Sequence, residues 1–594
     1  MNFFMQQHQA RQRTTLLVIY FALAIMLIIA AVNAACYRIY FIFTNTSLQR
    51  EQWFTQPYWV WITLATVAVI LFGTVRELIR LGGGGVAMAE MVGARRIRSN
   101  TTDPDEKRLM NVMEEMSIAS GTPRPALFVM ENEPAINAFV AGYRPTEAVL
   151  VVTRGTLQTL NRDELQGVIG HEYSHILNGD MRLNIRLWGI VSGILLIGQT
   201  GHAMFRYLRE SRDLNIVRRL LVGLVGLTLI PIGYIGLFFG RLIKAAISRQ
   251  REFLADASSV QFTRNPDDIA GALWKIKQHT EGSLLRNAHA EDLSHMCFGP
   301  SLNFSFDTLL ATHPPLDERI RAVDPGFIPR QKIKAAASAQ AETAAAARGF
   351  ARASQSAIAA TSGLIAASIG NLTSSHMDYA AALHASLPPA LLESLREEEG
   401  ATCAVFGMLL AGTYAEQRDA VCAIIRTYAG ESAVDLARHQ ALEIGRLGAR
   451  LPIINLVIPT LKMLNPEARR KFLDTVEACI HADHRFTMFE FTLLTLLQDH
   501  LSASAHTADQ AKYFKYENVL DELQILFTVL ARAGATSLEQ FRQTFSNIMG
   551  TFNRTLSEPA PAQVCTAQRL GLVLRKLGAL TPLLKQSVIT ACAD

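Results

Sequence analysis

The sequence predicts a mainly α-helical membrane protein: a small α+β domain joined to four apolar membrane segments, followed by an all-α domain. Three observations predict it. Hydrophobic residues make up 49% of the chain and the mean hydropathy is +0.17, high for a soluble protein. Four apolar runs approach the roughly 20 residues that a helix needs to cross a bilayer. One pair of β-rich runs, 126–130 and 147–153, sits among segments of helical periodicity. At 594 residues the chain is too long for one compact domain, so two or three folded units are expected.

Residues 1–80 read as an N-terminal membrane anchor with two transmembrane helices, "LLVIYFALAIMLIIAAVNAA" (16–35) and "YWVWITLATVAVILFGTV" (58–75). The first follows Arg11 and Arg13, as a signal peptide would, and "NAAC" ahead of Cys36 resembles a lipoprotein cleavage box. Asn33 stands where that box wants leucine, and the apolar run is longer than a signal core, so the segment is read as an uncleaved anchor. Arg76, Arg80, Arg95, Arg96 and Arg98 follow the second span, while the loop between the spans carries little beyond Arg50. The positive-inside rule then places everything after residue 76 in the cytoplasm, as expected at a bacterial-type inner membrane. The glycines at 82–85 lack the Lys and Ser/Thr of a phosphate loop and read as a flexible joint.

Two further apolar runs, 187–205 and 220–240, flank "RYLRESRDLNIVRR". They form either a spanning hairpin, whose arginines break the charge rule, or a shallow re-entrant one. The formal charge of +5 is small for the length and gives no case for nucleic acid; the lipid bilayer is the expected partner. Seven cysteines, odd in number and without a CxxC pair, suit reduced thiols facing the cytosol rather than a disulfide framework or a cysteine metal site.

Chemistry enters at "VIGHEYSHILNGD" (168–180). On a helix His171 and His175 share one face, one turn apart. Two neutral imidazoles so placed can bind Zn²⁺, and Glu172 between them is placed to act as a general base towards water there. A catalytic site needs a third protein ligand, and "SRQREFLADASSV" (248–260) supplies one. Glu252 can bind the metal while Asp256, one turn on, accepts the ring N–H of a ligand histidine and fixes its tautomer; Arg251 lies beside them.

Histidine pair, apolar hairpin, "REFLAD" and then "THPPLDER" (312–319) in that order resemble the HtpX-type membrane zinc metallopeptidases, relatives of the eukaryotic CAAX prenyl protease. The resemblance runs from about residue 14 to about 325 and includes "GGGGVAMAEMVGARRI" (82–97) and "PAINAFVAGYRPTEAVLVVTRGTLQTLNRDEL" (134–165). It implies a zincin-type metallopeptidase domain over 81–330, one zinc per chain on His171, His175 and Glu252, and Glu172 as the base. It also implies that His313 and Arg319 face the active site. His313 is then the candidate donor to the tetrahedral oxyanion, or a residue that merely opens a turn. Arg319 contacts substrate, or makes an ion pair within the fold.

The runs at 126–130 and 147–153, with "INAFVAG" between them, predict a small sheet. By resemblance the segment at Asn137 and Ala138 is an edge on which an extended peptide pairs through its backbone; the alternative is a hairpin that only supports the zinc helix. Backbone recognition tolerates many sequences, which suits polypeptide substrates such as misfolded or membrane proteins.

From 331 to 375 the composition turns to Ala, Ser and Gln and reads as a linker. Residues 376–594 carry helical periodicity broken by prolines and read as an all-α domain. Within it, 472–501 resembles the core of a TerB-like helical domain. His481, Asp483, His484 and Glu490 are candidates for a second metal, or Asp483 caps a helix and the histidines lie on the surface; docking a protein partner or substrate is the expected role of this domain. Three functions remain open: a zinc endopeptidase in membrane protein quality control, a membrane scaffold or stress sensor with a structural or vestigial zinc site, and a processing protease for lipidated peptides. The retained Glu172 favours the first, because a structural site has no use for a base.

Overall fold

The computed structural model describes residues 3–43, 53, 56–211, 215–287, 289–301, 313–327, 372–413, 417–482, 487–501, 512–553, 556 and 558–593. Four helical stretches are long and apolar enough to cross a membrane: Ile19–Phe43, Tyr58–Met91, Asp180–Glu210 and Ile216–Gly240. The first lies in helix α1 (Phe3–Phe43), the second in α2 (Tyr58–Arg80) and the short α3 (Gly84–Met91) that continues it. Leu23, Met26, Leu27, Trp61, Leu64 and Phe72 on these helices are exposed, as side chains facing lipid would be, while Phe21, Ile28, Val32 and Ile70 pack inward. Asn33 donates its amide to Thr63 Oγ1 at 3.0 Å and so links the first two spans, where a polar side chain needs a partner.

Between the spans and the metal-binding segment lies a four-stranded mixed sheet, β1 (Arg95–Arg96), β2 (Ala126–Met130), β3 (Ala138–Ala141) and β4 (Val149–Thr153), in the order β1-β2-β4-β3. β2 and β4 run parallel with Phe128 opposite Val151; β3 closes the edge antiparallel to β4, Phe139 opposite Val151. All five β4 side chains are buried, as a strand covered on both faces requires. Of the glycines 82–85 expected to form a joint, Gly85 has a packing role: a Cβ there would collide with the Ala141 carbonyl of β3.

Helix α4 (Pro104–Ser120) leaves this unit. The described residues form two compact units, one built from Ala10–Ile97 with the segment that starts at Pro125 and carries the metal-binding motifs, the other from Arg98–Arg124 with the helices from Ser374 onward. The sequence, read linearly, kept 81–330 together; in the structure α4 packs on the helices Ser374–Ser386 and Arg450–Leu461. Ile118 joins the core of Phe406, Ile425, Val434, Ile454, Val457 and Phe472. Glu114 receives Arg396 Nη2 at 2.6 Å, Arg396 Nε at 3.0 Å and His384 Nε2 at 2.9 Å. A second core in this unit gathers Leu523, Phe527, Phe545, Met549 and Val573. Of the Ala-rich linker expected at 331–375, residues 331–371 lie outside the described residues and Ser374 already opens a helix, Ser374–Ser386; Asp483 and His484 of the second-metal candidates also lie outside the described residues. Glu490 accepts the N–H and Oγ of Thr487, both at 2.8 Å, and so caps its helix.

Candidate active site

After the short helix α5 (Arg154–Thr159), helix α6 (Arg162–Asn178) carries the histidine pair. Asn161 accepts the Glu164 N–H at 2.8 Å and Glu164 returns a carboxylate to the Asn161 N–H at 2.8 Å, a capping box that fixes where the helix starts. Gly179, at φ 74°, ends it in the left-handed conformation that only glycine adopts readily, and α7 (Asp180–Glu210) starts at the next residue. The fourth apolar run and the acidic motif turn out to share one helix, α8 (Ile216–Thr263), 48 residues long. Its last turns lie along α6, bringing Glu252 and Asp256 to the histidines.

His171 and His175 set their Nε2 atoms 3.2 Å apart. Glu252 Oε2 lies 3.7 Å from the first and Oε1 3.7 Å from the second. Two nitrogens at zinc-ligand distance from one tetrahedral ion stand about 3.3 Å apart, so the donor set fits a single metal ion. Glu172 supports the fit. Its carboxylate is 1% exposed, and neither oxygen has a hydrogen bond of good geometry among the described residues, although the Val140 N–H of β3 approaches it. Burial, with the neighbouring Glu252 charge, pushes its pKa up to about 8. A buried carboxylate so weakly partnered among the described residues, beside three convergent ligand atoms, is arranged for something these residues alone do not supply.

Each ligand is held from behind. His171 Nδ1 meets Asp256 Oδ1 at 2.8 Å. Arg319, fully buried, grips Asp256 with Nε at 2.8 Å and Nη2 at 2.7 Å and donates Nη1 to the Phe298 carbonyl at 2.6 Å. Burial alone would raise Asp256, but the Arg319 guanidinium holds it below the usual carboxylate range. Glu252 is likewise held low against its burial by His313, His171 and Arg319. His313 Nδ1 sits 2.9 Å from Glu252 Oε2 and its Nε2 2.9 Å from the Ser294 carbonyl. Both ring nitrogens therefore face acceptors inside the fold in this arrangement, the Glu252 carboxylate and the Ser294 carbonyl. Arg319, of its two readings, makes the internal ion pair.

The substrate edge also differs from expectation. Asn137 spends its amide on the carbonyls of Ser283, at 2.7 Å, and Gly299, at 3.3 Å, and its Oδ1 accepts the N–H of Ala138 and of Gly299. Ala138 C=O accepts the Phe298 N–H at 2.8 Å, and Cys297 bridges to Phe139. Residues 297–299 thus cover the outer edge at Asn137 and Ala138. Asp180, whose Oδ2 meets His175 Nδ1 at 2.8 Å, was missed from sequence. The spacing His-x4-Asp across Asn-Gly was the available signal.

Residues 103–325 match the model of peptidase family M48. The protease HtpX homolog of Dictyoglomus turgidum is 38% identical over 213 residues, covering 36% of this chain and 67% of that relative. The Streptococcus pneumoniae protease HtpX homolog is 35% identical over 266 residues, 43% of this chain and 84% of its own. No solved structure matches the chain. A helix-borne histidine pair facing a glutamate from a second helix, on a chain with four membrane-length helices, defines a membrane metallopeptidase. The chain belongs to peptidase family M48, and within it to the HtpX-like members.

Proposed function

We propose that the protein is a zinc-dependent endopeptidase of the bacterial inner membrane, acting in membrane protein quality control with its active site facing the cytoplasm. The observation that carries this reading is the buried Glu172 carboxylate, which has no hydrogen bond of good geometry among the described residues, beside the converging atoms of His171, His175 and Glu252. An imidazole–imidazole–carboxylate set with a neighbouring free base suits zinc among the common metals.

Zinc, held by Nε2 of His171 and His175 and a carboxylate oxygen of Glu252, would polarise the scissile carbonyl and acidify the attacking water. Glu172 takes the proton from that water on a carboxylate oxygen and passes it to the leaving amine. Its burial keeps other proton donors away and favours the protonated form it must reach midway. Asp256 and Arg319 keep the His171 ring in one tautomer, and His313 keeps Glu252 in place. An extended substrate finds β3 covered at Asn137 and Ala138 and would pair further along, at Val140, whose N–H already approaches Glu172. Polypeptides, recognised through their backbone, are the substrates; the helical unit, with its TerB-like segment, is the docking module for them or for a partner protein.

Full-length protein is expected to bind one zinc per chain, and His175→Ala or Glu252→Ala to lose it. Elemental analysis that found either variant fully loaded would remove the ligand assignment. The orientation has its own test: a reporter cysteine at residue 590 should resist membrane-impermeant labels in intact cells and react after lysis. Labelling from outside would reverse the topology.

A further inference from the structure

We propose that Asp180 and Arg251 are positioning residues for the metal centre, Asp180 fixing the tautomer and angle of the His175 ring and Arg251 holding Asp180. The inference rests on the metal site proposed above and adds to it a support that comes from the membrane hairpin.

To offer its Nε2 lone pair, His175 must carry its proton on Nδ1. Asp180 Oδ2 stands 2.8 Å from that nitrogen, and the carboxylate is buried to 7% exposure. Removing it would let the ring rotate and populate the other tautomer, which presents a proton where the ligand atom belongs. Gly179 makes the placement geometrically available: the left-handed turn ends α6 and restarts the chain as α7 at once, so the first residue of α7 folds back beneath a histidine five positions earlier.

A buried carboxylate needs a counter-charge, and Arg251 Nη1 lies 3.0 Å from Asp180 Oδ1. The same guanidinium donates Nη2 to Asn184 Oδ1 at 2.9 Å, one turn along α7. Arg251 is also the residue before Glu252, so one stretch of α8 backbone places both the third ligand and the clamp on the second ligand's support. The arrangement repeats that of the other histidine, where Asp256 holds His171 and Arg319 holds Asp256. The two differ in where the support originates. Asp180 and Asn184 lie in the third membrane-length helix, and Arg251 follows the fourth on α8. The hairpin is then part of the metal site, and a shift of α7 against α8 moves His175.

Carboxylates behind ligand histidines typically contribute about 10–100-fold in metal affinity. Full-length protein in detergent, stripped and titrated with zinc against a competing chelator, should show Asp180→Asn binding one zinc with an apparent Kd about 10–100-fold weaker than wild type. Its cobalt-substituted form should show altered visible absorption, because the ligand field at His175 has changed. Arg251→Gln should shift both readouts the same way by less, with the unfolding temperature of the metal-free protein reported alongside. If Asp180→Asn does not accumulate as folded protein, Arg251→Gln decides alone. Wild-type affinity and an unchanged cobalt spectrum in the folded variants overturn the proposal, whereas a wild-type chain that binds no zinc overturns the metal assignment itself.

Discussion

Glu172→Gln should abolish hydrolysis of an unfolded substrate such as casein, lowering kcat by about 10²–10⁴-fold or more, while zinc content stays at the wild-type level. The magnitude follows from what is removed. Glutamine keeps the shape of the side chain and leaves His171, His175 and Glu252 untouched, but its amide cannot accept the proton of the attacking water. Stability should not fall, since glutamine replaces a carboxyl that is 1% exposed, whose charged form burial already disfavours, and that makes no hydrogen bond of good geometry among the described residues. A variant cleaving casein near the wild-type rate would remove Glu172 from the mechanism. A variant that lost zinc would mean that Glu172 is a ligand.

Arg396→Ala should destabilise the helical unit by about 3–5 kcal/mol, towards the lower end because His384 remains on Glu114. Glu114 has 3% of its side chain exposed and Arg396 11%, so the variant strands a buried carboxylate. Burial would raise that carboxyl, yet the hydrogen bonds from His384 and Arg396 and the nearby Arg124 bring it from 4.5 down to about 2. A depressed carboxyl pKa contributes stability in full above the unfolded value of 4.5 and loses it as pH falls towards 2. Wild type should therefore lose stability across that window, and Arg396→Ala should lose less of it. Chemical denaturation at pH 7 and pH 4 tests both; equal stability of the two proteins at pH 7 would contradict the burial argument.

That ion pair bears on how the chain divides. A composition shift at 331 suggests that everything catalytic stands alone before it, and that a chain lacking 340–594 would still bind zinc and cut a short peptide. Helix α4 complicates this, since it lies inside the stretch that matches the peptidase family yet buries Glu114 and Ile118 among the later helices. Removing those helices leaves its inner face bare, so truncation should cost folded yield as well as docking. Linear reading missed this because α4 carries the same helical pattern whichever neighbours cover it.

Much of the metal site is legible in the sequence for a physical reason. Histidines four apart on a helix share a face, and Glu252 and Asp256 repeat that spacing, so local periodicity alone determines which side chains travel together. The same holds for the apolar runs, because crossing a bilayer sets a length that can be counted. Tertiary structure decided what those faces meet. Only when α8 lies along α6 does Glu252 come within 3.7 Å of both histidines, and only the turn at Gly179 returns Asp180 to His175. His313 and Arg319 point into the fold, and residues 297–299 cover Asn137 and Ala138, through contacts between segments far apart in sequence. Spacing along the chain determines which residues share an element; their partners across space are set by packing, and packing leaves no period to read.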